Sequence, residues 1–135
     1  MPLSTDPYAL VVDDDPLIQM VACDILQDAG FRCYYGGTGQ EAVDLLQDHA
    51  GNVTLLFSDV DMPGDMNGFA LARHVDQHWP HIEIVIASGR VKPEEGDMPD
   101  KATFIGKPFN ARMVHDHLRE KLPDGKKPEP LKHAV

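Results

Sequence analysis

The chain has 135 residues, which is the size of a single domain and enough to enclose a hydrophobic core. Its formal net charge of −10 argues against direct binding to DNA or RNA, because nucleic-acid-binding domains normally carry a basic surface. No apolar run approaches the roughly 18 residues that span a bilayer, and the first residues lack the pattern of a signal peptide, so we expect a cytoplasmic protein without membrane contact.

Short apolar runs alternate with helical patterns along most of the chain. Strands are predicted at residues 8–12, 31–35, 53–58, 82–87 and 103–106. Helices are predicted to begin after the capping residues Asp15, Thr38, Asn67 and Asn110. This alternation predicts an α/β fold with a doubly wound parallel sheet of five strands.

Two segments depart from the alternation. Residues 90–101 carry two prolines, a glycine and many charges, so we expect no regular helix there beyond about one turn. Residues 123–135 are rich in proline and lysine and are predicted to be a flexible, solvated tail. The domain itself is therefore predicted to cover residues 8–122, after a short leader at residues 1–7.

The chain has two cysteines, Cys23 and Cys33. Their spacing fits neither a CxxC motif nor a pair of metal ligands. They are therefore predicted to be reduced thiols that pack as small apolar side chains.

Carboxylates follow two of the predicted strands. Asp13 and Asp14 follow the first strand, and Asp59 follows the strand that begins at Val53. The carboxyl ends of parallel strands meet at one edge of a sheet, so these side chains are expected to converge. Two like charges about 4 Å apart cost roughly 4 kcal/mol at an effective dielectric constant near 20, so such a cluster must bind a cation or raise a pKa. An all-oxygen ligand set favours Mg²⁺.

A carboxylate beside Mg²⁺ can itself act as a nucleophile toward a phosphoryl group. Transfer to Asp59 would then require a cation that neutralises the phosphoryl oxygens and a hydroxyl that orients one of them. Lys107, after the last predicted strand, and Ser88, after the fourth, are placed to supply these groups.

Together, these features resemble the receiver domain of bacterial two-component response regulators. The resemblance covers roughly residues 8–120, and five short segments at the strand ends carry it: Asp13-Asp14, Asp59, Met62-Pro63, Ser88 and Lys107-Pro108. It implies a flavodoxin-like five-stranded parallel sheet. It also implies phosphotransfer to Asp59 from a sensor histidine kinase or a histidine phosphotransfer protein.

The resemblance further implies the ligands of the metal. Mg²⁺ would be bound by the carboxylates of Asp14 and Asp59 and by the backbone carbonyl of Asp61. Asp13 would act mainly through a metal-bound water. We therefore expect Mg²⁺ as the cofactor.

Ser88 and Lys107 are expected, from the same resemblance, to contact the phosphoryl group, and the Lys107–Pro108 bond is expected to be cis. Ser88 and Phe104 are expected to form the conformational switch. Phe104 lacks the hydroxyl of the tyrosine often found at its position, so its part in the switch would depend on packing alone.

Two further positions are expected to set the lifetime of the phosphoryl group. Asp61 lies two residues after the phosphoacceptor, and Arg90 lies two residues after Ser88. We predict that they flank the phosphoryl group from opposite sides, pair across it and limit the access of water. The segment from Asp59 to Gly68 is one residue longer than usual in the family, so its loop is expected to bulge.

Each of these residues also has a plain structural interpretation. Asp59 and Ser88 suit turns, Asp13 and Asp14 suit a helix cap, Lys107 suits a solvated surface, and Phe104 suits a static core. Two other functions remain open on the sequence alone. One is a phosphatase of the haloacid dehalogenase type, whose DxD motif Asp59-Val60-Asp61 imitates, although the chain length and Met62 argue against it. The other is a receiver-like module that binds partners without phosphorylation.

The sequence therefore predicts a stand-alone phosphoacceptor signalling module. Its only chemistry would be its own phosphorylation and dephosphorylation, so it is not expected to be an enzyme in any wider sense. Its output would be contact with a downstream protein, and we expect a monomer or a weak dimer.

Overall fold

The structure, a computed structural model, describes residues 7–132 of the chain. The predicted leader, apart from Pro7, and the last three residues of the predicted tail therefore lie outside the described residues. Five strands form one sheet: β1 (Tyr8–Val12), β2 (Arg32–Gly36), β3 (Val53–Asp59), β4 (Glu83–Ser88) and β5 (Thr103–Gly106). Their spatial order is β2-β1-β3-β4-β5 and every neighbouring pair is parallel, which confirms the predicted flavodoxin-like fold.

Four longer helices connect or follow the strands: α1 (Pro16–Asp28), α2 (Gly39–His49), α3 (Gly68–His78) and α4 (Ala111–Lys121). A single 3₁₀ turn (Asp124–Lys126) and a short helix, α5 (Glu129–Lys132), come after them. The four predicted capping side chains each accept a hydrogen bond from a backbone N–H in the first helical turn: Asp15, Thr38, Asn67 and Asn110. None of the helices within residues 7–132 has the length and apolar character that crossing a membrane would demand.

The sheet is buried on both faces. One hydrophobic cluster joins it to α1 and α4, and a second joins it to α2 and α3. The continuous apolar run of β4 serves both, since Val85 and Ala87 belong to the first cluster and Ile84 and Ile86 to the second. With both faces covered, the strand ends are the part of the sheet that remains open to ligands.

Residues 89–102 contain no helix or strand, as predicted from their composition. Arg73, on α3, holds this segment by donating from Nη1 to the carbonyl oxygen of Asp97 at 2.6 Å. Val91 and Met98 pack against the second cluster. The chain between β4 and β5 is thus an anchored loop.

The prediction of a solvated tail was wrong for the described part of that segment, residues 123–132. Leu131 is fully buried in the first cluster, and Pro128 is buried as well. Lys126 donates from Nζ to a carboxylate oxygen of Glu83 at 2.9 Å, which fixes the segment beside the start of β4. The segment is polar on average, so its composition gives no sign that a single leucine, Leu131, anchors it.

The prediction of two reduced thiols was also wrong. Cys23, on α1, and Cys33, on β2, form a disulfide with their Cα atoms 6.2 Å apart, within the usual range for such bonds. The pairing arises because α1 packs beside β2, and a rule based on local cysteine spacing does not detect contacts between two elements.

Candidate functional site

The carboxyl ends of β1, β3, β4 and β5 open into one cleft of about 440 Å³. Seven of the eight predicted site residues line it: Asp13, Asp14, Asp59, Asp61, Ser88, Arg90 and Lys107. The strand register explains this convergence, because Val12 pairs with Ser58, Asp59 with Ala87, and Ser88 with Gly106. The residues that follow these pairs along the strands therefore lie at the same carboxyl-terminal edge of the sheet. We call this space the acidic cleft.

Three carboxylates meet in the acidic cleft. Asp13, Asp14 and Asp59 each offer one oxygen, and these oxygens all lie within 4.8 Å of one another. Asp13 is 4% exposed, so its charge is largely withdrawn from water. Three oxygen donors at this separation suit a hard divalent cation such as Mg²⁺.

The backbone around Asp13 is fixed by several hydrogen bonds. Its N–H donates to the carbonyl of Gly36 at 3.1 Å, and its Oδ1 accepts from the N–H of Asp15 at 2.9 Å. Gln19, on α1, donates from Nε2 to the backbone carbonyls of Asp13 and Gly36. Sequence reasoning missed Gln19. A polar residue one turn into a helix that follows an acidic strand end was the available signal.

Lys107 is the cation of the acidic cleft. Its Nζ donates to Oδ2 of Asp13 at 2.9 Å and to Oδ1 of Asp59 at 3.1 Å. Burial alone would lower the pKa of Lys107, but hydrogen bonds and charges from the two carboxylates outweigh burial and raise it. The ammonium therefore stays charged. The peptide bond between Lys107 and Pro108 is cis, as the resemblance implied.

Burial raises the pKa of Asp59, and the charge of Asp13 raises it further, against the opposing hydrogen bond and charge of Lys107. The carboxylate is thus less stable in its ionised form here than in water. A cation bound nearby would relieve that cost.

Gly68 explains how the chain closes behind Asp59. A Cβ at residue 68 would lie 1.9 Å from the carbonyl oxygen of Asp59, so only glycine fits. The N–H of Gly68 donates to the carbonyl of Val60 at 2.9 Å, which closes the loop. Within that loop, Gly64 has φ +97°, a conformation that side chains disfavour.

Ser88 connects the acidic cleft to the loop between β4 and β5. The residue is 4% exposed, and its Oγ accepts a hydrogen bond from the N–H of Val91 at 3.1 Å. Asp61 and Arg90 line the same cleft, but no ion pair joins them in the part of the chain that the structure describes.

Phe104 is the predicted site residue that does not line the acidic cleft. It pairs in register with Ile86, is half-buried, and packs against the second hydrophobic cluster. A role in switching would therefore act through packing and not through contact with the cleft.

Comparison with known proteins agrees with this geometry. The response regulator receiver domain family matches residues 9–119. The sensor kinase CckA of Brucella abortus is 28% identical over 123 residues, which cover 89% of this chain and 13% of that protein. The two-component response regulator ARR11 of Arabidopsis thaliana is 38% identical over 119 residues, or 84% of this chain and 23% of that protein. The chain thus spans less than a quarter of the length of these two relatives.

Smaller relatives match along most of their own length. The chemotaxis protein CheY of Pseudomonas aeruginosa is 27% identical over 117 residues, which cover 82% of this chain and 92% of that protein. Among solved structures, the chemotaxis response regulator CheY4 of Vibrio cholerae has a TM-score of 0.74 at 27% identity. It covers 87% of this chain and 99% of its own.

Receiver domains are signalling domains of two-component systems. In general they are phosphorylated on an aspartate, bind Mg²⁺ at an acidic pocket and interact with histidine kinases or phosphotransfer proteins. Neither the phosphatase interpretation nor the phosphorylation-independent one is favoured by these matches. The match over residues 9–119 and the five-stranded parallel sheet lead to one conclusion: the chain belongs to the response regulator receiver domain family.

Proposed function

We propose that this chain accepts a phosphoryl group on Asp59 from a phosphohistidine of a sensor histidine kinase or a histidine phosphotransfer protein, and that it signals through contact with another protein. One observation carries the proposal. The ammonium of Lys107 bridges Asp13 and Asp59 in the acidic cleft. From there it can donate a hydrogen bond to a phosphoryl oxygen once Asp59 is phosphorylated.

The residues of the acidic cleft fit Mg²⁺. The donors are carboxylates that lie close together, with no sulfur or imidazole among them, which is the chemistry that a hard cation prefers. We propose Asp13, Asp14, Asp59 and the backbone carbonyl of Asp61 as the residues that hold it. When bound, Mg²⁺ would neutralise charge on the phosphoryl oxygens.

The transfer step follows from the side chains. A carboxylate oxygen of Asp59 attacks phosphorus, the O–P bond forms, and the N–P bond to the donor imidazole breaks. The imidazole leaves with the electron pair of that bond and takes up a proton. Lys107 then exchanges its hydrogen bond with Asp59 for one with a phosphoryl oxygen.

Ser88 would provide the second contact to the phosphoryl group. Its hydroxyl accepts a hydrogen bond from the N–H of Val91, which lies in the loop of residues 89–102. If the hydroxyl moves to donate to a phosphoryl oxygen, this hydrogen bond to the loop must change. Movement of Ser88 would therefore shift this loop. We propose that Phe104, which packs against the same hydrophobic cluster as Val91 of this loop, adjusts with it.

Asp61 and Arg90 line the acidic cleft and are proposed to limit the access of water to phosphorus. Replacement of either residue should therefore change the rate at which phosphoryl-Asp59 hydrolyses. If Asp61→Asn and Arg90→Ala both leave that rate unchanged, this role is wrong.

The direct test is incubation of the protein with acetyl phosphate, with and without Mg²⁺, followed by intact mass measurement. We expect one added phosphoryl mass that requires Mg²⁺ and disappears in Asp59→Asn. Asp65→Asn is the matched control, since this exposed aspartate lies in the loop after β3 and outside the acidic cleft. Persistence of the mass gain in Asp59→Asn would overturn the assignment. A folded, Mg²⁺-binding protein that no donor phosphorylates would favour a module that acts without phosphorylation.

A further inference from the structure

A second cleft lies at the carboxyl-terminal end of the described chain. It has a volume of about 340 Å³ and is lined by Arg119, Asp124, Lys127 and Lys132. These residues come from α4, the 3₁₀ turn and α5. Three cations thus surround one cleft in a chain whose net charge is −10. We call this space the basic cleft.

Arg119 lines the basic cleft and has one donor without a partner among the described residues. Its Nη2 donates to a carboxylate oxygen of Asp116, which fixes the guanidinium. Its Nη1 is buried and has no hydrogen-bond partner among the described residues. Buried donors are nearly always paired in folded proteins, so an acceptor is missing here.

Lys127 pairs with Asp124 in the basic cleft, and the exposed carboxylate of Asp124 can be displaced. The lysine side chain is only 15% exposed, and its Nζ donates to Oδ1 of Asp124 at 2.8 Å. The side chain of Asp124 is 90% exposed, so little packing opposes its rotation into solvent. The hydrogen bond and the charge of Lys127, together with the charge of Lys132, lower the pKa of Asp124, which shows that all three groups share one electrostatic environment.

Lys132 is the third cation of the basic cleft. Its Nζ donates to a carboxylate oxygen of Glu129 at 3.2 Å, and its side chain is 37% exposed. At that exposure the ammonium retains N–H groups for a further acceptor.

We propose that the basic cleft binds a small tetrahedral oxyanion, either phosphate or a phosphate monoester, which Arg119, Lys127 and Lys132 hold and which displaces the carboxylate of Asp124. The donors come from three separate side chains and so approach from different directions, which suits an acceptor whose oxygens do not all lie in one plane. The two oxygens of a carboxylate lie in one plane, whereas those of a phosphoryl group are arranged tetrahedrally and favour charge-assisted hydrogen bonds from arginine and lysine.

This site is independent of phosphotransfer to Asp59. Its ligands belong to α4 and to residues 123–132, near the start of β4, whereas Asp59 lies at the end of β3. An anion bound here would tie residues 123–132 to α4. Protection of that segment from hydrogen exchange should therefore rise when the anion binds.

The test is calorimetric titration of the full chain with inorganic phosphate, at constant ionic strength and with EDTA to exclude metal-dependent binding in the acidic cleft. We expect saturable binding of one phosphate. Lys127→Gln should weaken it by at least about tenfold, the loss of one charge-assisted hydrogen bond. Asp124→Asn should tighten it, because the competing carboxylate is gone. Lys121→Gln should leave it unchanged, since Lys121 lies on the same helix but outside the basic cleft.

The opposite responses of two neighbours make the test decisive even if one variant folds poorly. Affinity that Asp124→Asn fails to raise, or that Lys121→Gln lowers as much as Lys127→Gln does, would indicate general attraction of anions and overturn the proposal. Absence of saturable binding would overturn it as well. A parallel titration with glycerol phosphate distinguishes the two sources, since tighter binding than inorganic phosphate assigns the site to a phosphate monoester.

Discussion

The acidic cleft and the basic cleft hold their charges together in different ways. In the acidic cleft, Lys107 pairs with Asp13, 94 residues away in sequence, and with Asp59, 48 residues away. In the basic cleft, each cation pairs with a carboxylate three residues away along the chain: Arg119 with Asp116, Lys127 with Asp124, and Lys132 with Glu129.

The difference shows which charges the fold forces together. Pairs three residues apart form wherever helical spacing allows, and exposed pairs of this kind add little stability. The carboxylates of the acidic cleft meet only because β1 and β3 are neighbours, and they repel one another at the cost of stability. Stability near the basic cleft comes instead from the burial of Leu131. Substitutions in the two regions should therefore have effects of different size and cause.

The largest expected effect is that of Gly68→Ala, beside the acidic cleft. The new Cβ would lie 1.9 Å from the carbonyl oxygen of Asp59, so the backbone of β3 or α3 must move. We expect a loss of about 3 kcal/mol in the free energy of unfolding, measured in urea. Gly51→Ala is the matched control, because no atom lies within 4 Å of a Cβ built there. Equal stability of the two variants would contradict the tight closure behind Asp59.

Lys107→Met tests the electrostatic side of the comparison. The variant leaves the carboxylates of the acidic cleft without their cation. Because Lys107 is only partly buried, we expect a loss of about 2 kcal/mol, below the range for fully buried pairs. Added Mg²⁺ should restore part of that loss, since a ligand that binds only the folded state stabilises it.

The control for Lys107→Met is Lys126→Met, which removes one ion pair with Glu83 and one hydrogen bond to the carbonyl oxygen of His81. That pair is more exposed than the pair of Lys107 and Asp13, and we expect it to contribute below about 1 kcal/mol. Urea unfolding with and without Mg²⁺ measures both variants. Similar losses in the free energy of unfolding, or rescue of both variants by Mg²⁺, would show that repulsion among the carboxylates of the acidic cleft does not determine the effect of Lys107→Met.

Gly30→Ala tests the packing of residues 123–132. Gly30 has φ +106°, and a Cβ there would lie 2.6 Å from Cβ of Pro128. We expect a loss of about 1.5 kcal/mol from backbone strain. Displacement of the segment should also give faster hydrogen exchange around Leu131. Mg²⁺ affinity at the acidic cleft should not change, and a change there would mean that the two regions are coupled.

The sheet and the acidic cleft could be predicted because their signals are local. Most strands contain a short apolar run, and residues such as Asp59 and Lys107 stand at or just after the end of a strand. Once the strands are parallel, the convergence of these residues at one edge is a geometric consequence. The loop at residues 89–102 could be predicted as well, since proline and glycine within it disfavour a regular helix.

The features that sequence reasoning missed depend on contacts between elements. Leu131 is one apolar residue in a polar segment, and only the surface beneath it makes it an anchor. Cys23 and Cys33 meet because α1 packs beside β2. Gln19 matters through the carbonyl oxygens that it reaches, one of them on another strand. Periodicity and spacing contain no information on such contacts.

The smallest expected effect concerns His117 on α4, the helix that joins β5 to the basic cleft. Its Nε2 lies 2.8 Å from Oγ1 of Thr103, and burial, with the charge of Lys121, lowers its pKa below the ordinary value of 6.5. The unfolded chain therefore binds the proton more tightly than the folded chain, so stability should fall as the pH drops through about 6.5. The raised pKa of Asp59 has the opposite effect on stability, because the folded chain holds that proton more tightly, but it acts from about the ordinary value of 3.8 upward.

Urea unfolding between pH 7.5 and about 5.5 should give a shallower slope of stability against pH for His117→Gln than for the unmodified protein or for His81→Gln, which replaces an exposed histidine. Identical slopes in all three would place the acid sensitivity elsewhere, and a steeper slope in His117→Gln would reverse the sign assigned to this histidine.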